Sequence, residues 1–265
     1  MSATKPTLWH IPVSHYSEKV RWALDHKRVD HVRRAPIPGT HIPIALWLTH
    51  GASMTFPVLQ VDGRALGDST AIVAALEELR PEPPLYPADP DERARALALE
   101  EFFDEELGPH ARLLVFHELI DEPDVFAELA SRTVPGPLSQ VKSLTGAYAR
   151  IFTSLRYGAQ RDDAAAAARV KVLAALERLE AELAAADGDY LVGDRFSVAD
   201  LTAAALFYPV VDPDEGPLPP GTPTPAAIAA FRASLAERPG VRWVKEMFRR
   251  HRRPARAPLT AAAEG

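Results

Sequence analysis

Leu8-Trp9-His10-Ile11-Pro12-Val13-Ser14-His15-Tyr16-Ser17-Glu18-Lys19-Val20-Arg21 is the stretch around which the rest of the chain is ordered. The short apolar run from Thr7 to Ile11 has strand character and is cut by Pro12. A helical pattern begins at Ser14 or Ser17, with Val20, Ala23 and Leu24 on one face. A strand therefore hands over to a helix N-terminus, with a hydroxyl at the junction. Such a junction gathers unpaired backbone N–H groups and positive dipole potential, which suits an anion such as a thiolate. A Ser in this place also serves as an ordinary helix N-cap.

Outward from the junction, residues up to about 80 mix strand and helix signals. Val29 to Ala35 reads as a strand, and 36–39 is a loop rich in proline and glycine. His41 to His50 reads as a short, largely buried helix. Phe56-Pro57-Val58-Leu59-Gln60-Val61 reads as a strand, and Asp62-Gly63 turns it back through Arg64-Ala65-Leu66 as a hairpin. Gly67-Asp68-Ser69 opens a helix striped by Ile72, Val73, Leu76 and Leu79. The order is β-α-β-α-β-β-α. Prolines then crowd 81–90, and the chain turns helical almost throughout. The helical candidates are 91–118 with a break to reckon with at Pro109, a short piece within 123–137, then 138–157, 164–186, 197–208, 224–236 and 241–251. The segment 212–225 is a proline-rich excursion.

Three further local signals carry chemistry. Phe56-Pro57 places an aromatic before a proline at a strand start, which raises the chance of a cis peptide bond. Asp68-Ser69 puts a hydroxyl and a carboxylate at a helix N-terminus. Ser69 can receive a carboxylate and Asp68 can face an ammonium, so the pair can hold a zwitterionic amino-acid group. Phe196-Ser197-Val198-Ala199-Asp200-Leu201 is a capping box in which Asp200 can reach back to the Ser197 N–H, with Phe196 and Leu201 as its staple.

In this order and spacing the chain resembles the glutathione S-transferase family over nearly its whole length. The resemblance implies an α/β thioredoxin-like N-terminal domain over residues 1–82, followed by an all-α C-terminal domain over 91–265 that carries the second-substrate site. It implies glutathione as co-substrate, with Ser14 as the residue that activates its thiol and Ser17 as the second choice. It further implies that Pro57 is cis, that the backbone of Phe56 binds the cysteinyl part of glutathione, and that Asp68 and Ser69 bind the γ-glutamyl group. Thr55 stands where relatives often carry a basic or amide residue for the glycyl carboxylate, and His41 or His50 could supply that contact instead. The second substrate would be a small hydrophobic electrophile, met by residues such as Phe102, Phe103, His110, Leu113, Phe116 and His117. A two-fold homodimer is usual for the fold.

The implied reaction is attack of the activated thiolate on the electrophile, as in detoxifying transfer of alkyl or aryl groups. A glutathione-dependent isomerase, lyase or dehalogenase, or a non-catalytic binding protein on the same fold, are the alternatives, and another low-molecular-weight thiol could replace glutathione. Trp9-His10-Ile11 stands where other classes carry a catalytic Tyr, which leaves Tyr16 as a packing residue. His10 and His15 flank the junction as acid–base groups or as packing. The chain of 265 residues contains no cysteine, so a disulfide between protein and thiol is excluded, and no thiolate metal site can form. No metal is expected. A net charge of −6 argues against a nucleic-acid binder. The absence of an apolar run near the ~18 residues of a membrane span, and of a leader-like N-terminus, points to a cytoplasmic protein.

Overall fold

The computed structural model describes residues 5–36, 40–122, 124–125, 128–129 and 159–252. The α/β part contains β1 (Thr7–Trp9), α1 (His15–His26), β2 (Val32–Arg34), α2 (His41–Leu48), β3 (Val58–Val61), β4 (Arg64–Gly67) and α3 (Ser69–Leu79). Its sheet runs β2-β1-β3-β4, with β1 parallel to β2 and antiparallel to β3, and β3 antiparallel to β4. The β3–β4 hairpin turns at Asp62 and Gly63, both at positive φ (47° and 78°), the left-handed pair that a tight two-residue hairpin demands. This is the thioredoxin-like arrangement that the family resemblance implies.

The helical part contains α4 (Pro90–Phe102), a π-helical turn (Phe103–Leu107), α5 (Gly108–Ile120), α6 (Asp162–Ala185), α7 (Val198–Val211), α8 (Ala226–Leu235) and α9 (Pro239–His251). The single helix expected over 91–118 is thus split. Pro109 has no N–H to give to the carbonyl four residues back, and the ladder widens to π geometry just before it. The expected helix over 138–157, and most of that within 123–137, lies outside the described residues. Among the described residues no helix is long and apolar enough to cross a membrane.

α7 is the core of the helical part, buried along its whole length. Its N-terminus is fixed as the sequence suggested: Asp200 accepts from the Ser197 N–H at 2.8 Å, and also from the Leu191 N–H at 2.8 Å. Phe196 stacks between Trp22 of α1 and His251 of α9. The proline-rich stretch after α3 is a packed connection. The buried Lys27 ammonium donates to the carbonyls of Arg80 and Pro83 at 2.9 Å, and Leu85 and Tyr86 enter the core.

α1 is enclosed on nearly all sides. Besides Val20, Ala23 and Leu24, it buries His15, Ser17, Glu18, Lys19 and Arg21. Charged side chains enter an interior only when paired and hydrogen-bonded, and the partners here come largely from the helical part. His15 donates from Nε2 to the Gly108 carbonyl at 2.9 Å. Tyr16 donates from its hydroxyl to the Asp104 carbonyl at 2.9 Å. The Tyr16 ring lies so close over Gly108 that a Cβ there would collide with it, so this position requires glycine.

The His15 contact makes stability depend on pH. Burial first, and Arg112 second, bring its imidazole down from 6.5 to about 3, against the opposing pull of the Gly108 bond. The folded ring therefore stays neutral while the unfolded chain takes up a proton below about pH 6.5. Stability falls as pH drops through that window, by up to about 1.4 kcal/mol per pH unit from this group. Urea unfolding between pH 7 and pH 5 is expected to show that slope, and His15→Gln to lessen it. An identical slope in the variant would refute the assignment.

Candidate active site

The β1–α1 junction and the N-terminus of α3 open onto one cleft of about 660 Å³ between the two parts of the chain. Ser14, Thr55, Phe56, Pro57, Asp68 and Ser69 all line it. Six positions picked from three separate segments thus meet in one place. Ser17 and His41 are not among the lining residues.

Ser14 is the N-cap of α1, with extended backbone (φ −78°, ψ 128°), and its Oγ accepts from the Ser17 N–H at 3.2 Å. A hydroxyl has one donor and two acceptor lone pairs. Capping uses an acceptor, so the cap does not consume the proton of Ser14, which lines the cleft. Ser17 is fully buried, and its Oγ accepts from the Ile11 N–H at 3.2 Å. The two hydroxyls that the sequence left as alternatives therefore have different surroundings.

The junction backbone is held from several sides. The Ser14 N–H donates to the Ile11 carbonyl at 3.0 Å. Arg21 donates to the Ile11 carbonyl at 3.3 Å and to the Pro12 carbonyl at 2.9 Å, and Tyr208 of α7 donates to the Val13 carbonyl. Arg21 also meets His10 Nδ1 at 2.8 Å and pairs with Glu18 at 2.7 Å. Glu18 is paired in turn with Arg252, which follows α9 and reaches Asp25 at 2.7 Å. Burial pushes the Glu18 carboxyl up, but Arg252 and Arg21 outweigh it and hold the group below its ordinary range. His10 is buried, and burial followed by Arg21 keeps it neutral well below its ordinary value.

The Phe56–Pro57 peptide bond is cis. Phe56 is buried, with its ring 6.3 Å from those of Trp9 and His41. His41 itself is buried at the start of α2, and burial lowers its pKa. Thr55 is exposed at the cleft edge.

Asp68 caps α3, accepting from the Ala71 N–H at 2.9 Å, but its backbone sits at φ 71°, ψ 125°. That region is disfavoured for any residue with a Cβ, at a cost on the order of 1–3 kcal/mol, and such outliers concentrate at binding sites. Beside it, Thr70 belongs to a buried cluster on the cleft floor. Lys19 of α1 is fully buried, with its Nζ 2.9 Å from Glu100, 2.6 Å from Asp104 and 2.9 Å from the Thr70 hydroxyl. Thr70 also donates to Asp104. Burial first, opposed by Lys19 and aided by Asp104, raises the Glu100 pKa. No sequence signal joined Lys19 to this cluster, because its partners are brought together only when the helical part docks.

The far wall differs from expectation. Of Phe102, Phe103, His110, Leu113, Phe116 and His117, only Phe116 lines the cleft. Phe103 is a core residue packed edge-on against Phe207, and His117 bonds the Ala159 carbonyl at 2.7 Å. The apolar side of α4 and α5 faces the helical core. The side turned to the cleft carries Glu101, Asp104, Glu105 and Arg112 among the apolar Leu97, Val115 and Leu119. Arg112 lies over the Tyr16 ring at 5.8 Å. Arg232 enters from α8, paired with Asp212 at 2.7 Å. Among the described residues no group of His, Asp or Glu is gathered as a metal site.

The family profile described as "Glutathione S-transferase, N-terminal domain" matches residues 8–84, and that described as "Glutathione S-transferase, C-terminal domain" matches 141–239. A probable maleylacetoacetate isomerase of Caenorhabditis elegans is 28% identical over 209 residues, covering 78% of this chain and 80% of that protein. Probable maleylacetoacetate isomerase 1 of Drosophila melanogaster is 34% identical over 111 residues, covering 40% of this chain and 45% of that protein. The solved maleylacetoacetate isomerase of Methylobacterium extorquens AM1, with malonate and glutathione bound, superposes with a TM-score of 0.60 at 22% identity, over 95% of this chain and 98% of that one.

Proposed function

Because the chain belongs to the glutathione S-transferase family, we propose that Ser14 activates the thiol of bound glutathione and that the reaction is a glutathione-dependent cis–trans isomerisation of a small unsaturated acid. The observation that carries the first half is the meeting of Ser14, Phe56-Pro57 and Asp68-Ser69 in one cleft. The Ser14 proton points a hydrogen bond at the sulfur, and the N-terminus of α1 adds favourable potential for the thiolate. Asp68 and Ser69 take the γ-glutamyl group, and the Phe56 backbone takes the cysteinyl unit. Thr55 at the cleft edge stands nearest the role of glycyl contact. His41, packed on Phe56, supports that end from below.

The isomerase half rests on the names of the relatives and on Arg112 in the cleft lining. A thiolate can add to an alkene carbon conjugated with a carbonyl. The π pair moves onto the carbonyl oxygen, and the former double bond turns as a single bond. The pair then returns and expels the thiolate, so glutathione is regenerated and no atom is gained or lost. Arg112 on the cleft wall suits a substrate carboxylate. The same first step without expulsion is transfer, the reaction of the wider family. The protein acts as a two-fold dimer on this reading, which sedimentation would check.

The test is calorimetric titration with glutathione, followed by proton NMR of a cis-configured unsaturated keto acid with catalytic glutathione. Conversion to the trans isomer with glutathione undiminished supports isomerisation. Stoichiometric loss of glutathione instead marks a transferase, and no binding at millimolar glutathione ends the whole reading. Arg112→Leu is expected to raise KM for the acid about 10- to 100-fold, the loss of a charged hydrogen bond, while KM for glutathione stays within two-fold.

A further inference from the structure

We propose that Arg252 and Tyr208 are positioning residues for the Ser14 hydroxyl. Tyr208 acts directly on the β1–α1 junction, and Arg252 acts through Glu18 and Arg21. The proposal rests on the reading of Ser14 as thiol activator and adds the device that keeps it in place.

The junction from Ile11 to Val13 presents three successive backbone carbonyls, and each is closed by a side chain from elsewhere. Arg21 takes the carbonyls of Ile11 and Pro12, and Tyr208 takes that of Val13. The Ile11 N–H is closed by Ser17. A surface loop would ordinarily leave such groups to water. Here the segment that ends in Ser14 is fixed by donors on two helices, one of them from the helical part of the chain.

Arg21 is not free to swing. Its Nε is bound to one oxygen of Glu18 at 2.7 Å, and the other oxygen of Glu18 is bound to Arg252. Arg252 is locked by Asp25 at 2.7 Å, and Asp25 by Arg33 at 2.7 and 2.8 Å. His10 closes the remaining side of Arg21. The last of these residues in the sequence is therefore three contacts from the carbonyls beside Ser14: Arg252 to Glu18, Glu18 to Arg21, Arg21 to the backbone. A hydrogen bond weakens steeply with length and angle, and a displacement near 1 Å at a catalytic group can cost about 100-fold. Holding the junction therefore holds the Ser14 bond to sulfur. The remaining contacts of Ser14 are its cap to the Ser17 N–H, its N–H to the Ile11 carbonyl and its carbonyl, which accepts from the Glu18 N–H at 2.9 Å, and Glu18 is itself a link in the chain from Arg252.

A merely structural role predicts lost stability and nothing more. Positioning predicts a change in the bound thiol. The experiment titrates glutathione on the intact enzyme by the ultraviolet absorbance of its thiolate, with pH profiles of kcat. Arg252→Gln and Tyr208→Phe are each expected to raise the pKa of the bound thiol by about half to one unit. kcat near pH 6.5 should then fall about 3- to 10-fold and recover near pH 9, with KM for glutathione within two-fold. Arg252→Lys is expected to restore part of the loss. If both variants stay folded by circular dichroism and titrate as wild type, positioning is wrong. If Arg252→Gln does not fold, Tyr208→Phe, which removes one oxygen, decides alone. Failure of the wild-type protein to lower the thiol pKa, or of Ser14→Ala to raise it, would instead overturn the underlying reading of Ser14.

Discussion

Ser14→Ala is expected to lower kcat/KM near neutral pH about 10- to 100-fold and to raise the pKa of bound glutathione by one to two units. The estimate follows from one hydrogen bond to a charged group, worth about 1.5–3 kcal/mol, at about 1.4 kcal/mol per pKa unit. The variant also loses the cap to the Ser17 N–H, about 1 kcal/mol of stability. Ser14→Gly separates the two effects, since glycine caps nearly as well as serine but has no hydroxyl. It should match the alanine variant in activity and the wild type in melting. Ser17→Ala should behave oppositely. It strips the Ile11 N–H of its acceptor inside the protein, so stability falls more than the thiolate does. Unchanged turnover in Ser14→Ala, with loss in Ser17→Ala, would reverse the assignment.

The second large effect is expected at Lys19. Lys19→Met keeps the length of the side chain and removes the ammonium between Glu100 and Asp104. Two carboxylates are then left side by side, one of them fully buried. Breaking a buried ion pair from one side costs about 3–5 kcal/mol because of the charge left behind. In a chain of this size that is on the order of 10 °C in Tm. The loss should ease at acid pH, where a proton replaces the ammonium, and Glu100→Gln in the same chain should recover part of it. A fall of less than about 1 kcal/mol would show that the cluster is already neutralised by protons. Thr70 loses its lysine contact in this variant, and Thr70 follows Ser69, so weaker glutathione binding should accompany the lower Tm.

The element order, the hairpin at Asp62-Gly63, the capping box at Ser197 and the separate signals at Ser14, Phe56-Pro57 and Asp68-Ser69 were legible because each is written in a short stretch, while their joining in one site came from the family resemblance. Turn, cap and junction chemistry depend on neighbours within a few residues. The far wall was not legible for the opposite reason. Phe102, Phe103 and Leu113 are apolar, and an apolar side of a helix more often faces a core than a ligand. Only the docking of α5 on α6 and α7 determines which side is left for the cleft. That side holds Glu101, Asp104, Glu105 and Arg112, which in the sequence look like an ordinary solvated face. The same holds for α1. Its Val20, Ala23 and Leu24 stripe was visible, while the burial of Glu18 and Lys19 was not, since their partners Arg252, Glu100 and Asp104 lie about 80 to more than 200 residues away.

The burial of α1 bears on the order in which the molecule can become itself. Ribosomes deliver the strand, the serine and the first helix early, but deliver Arg252 only when nearly all the described chain has emerged. Lys19 meets its carboxylates once residues 100–104 are made, but until Arg252 emerges Glu18 lacks one of its two cations. The α/β half, although it looks like a module, is a poor candidate for grafting onto another helical partner or for expression by itself. Its β1–α1 junction is braced through Glu18 by Arg252, more than 200 residues further along.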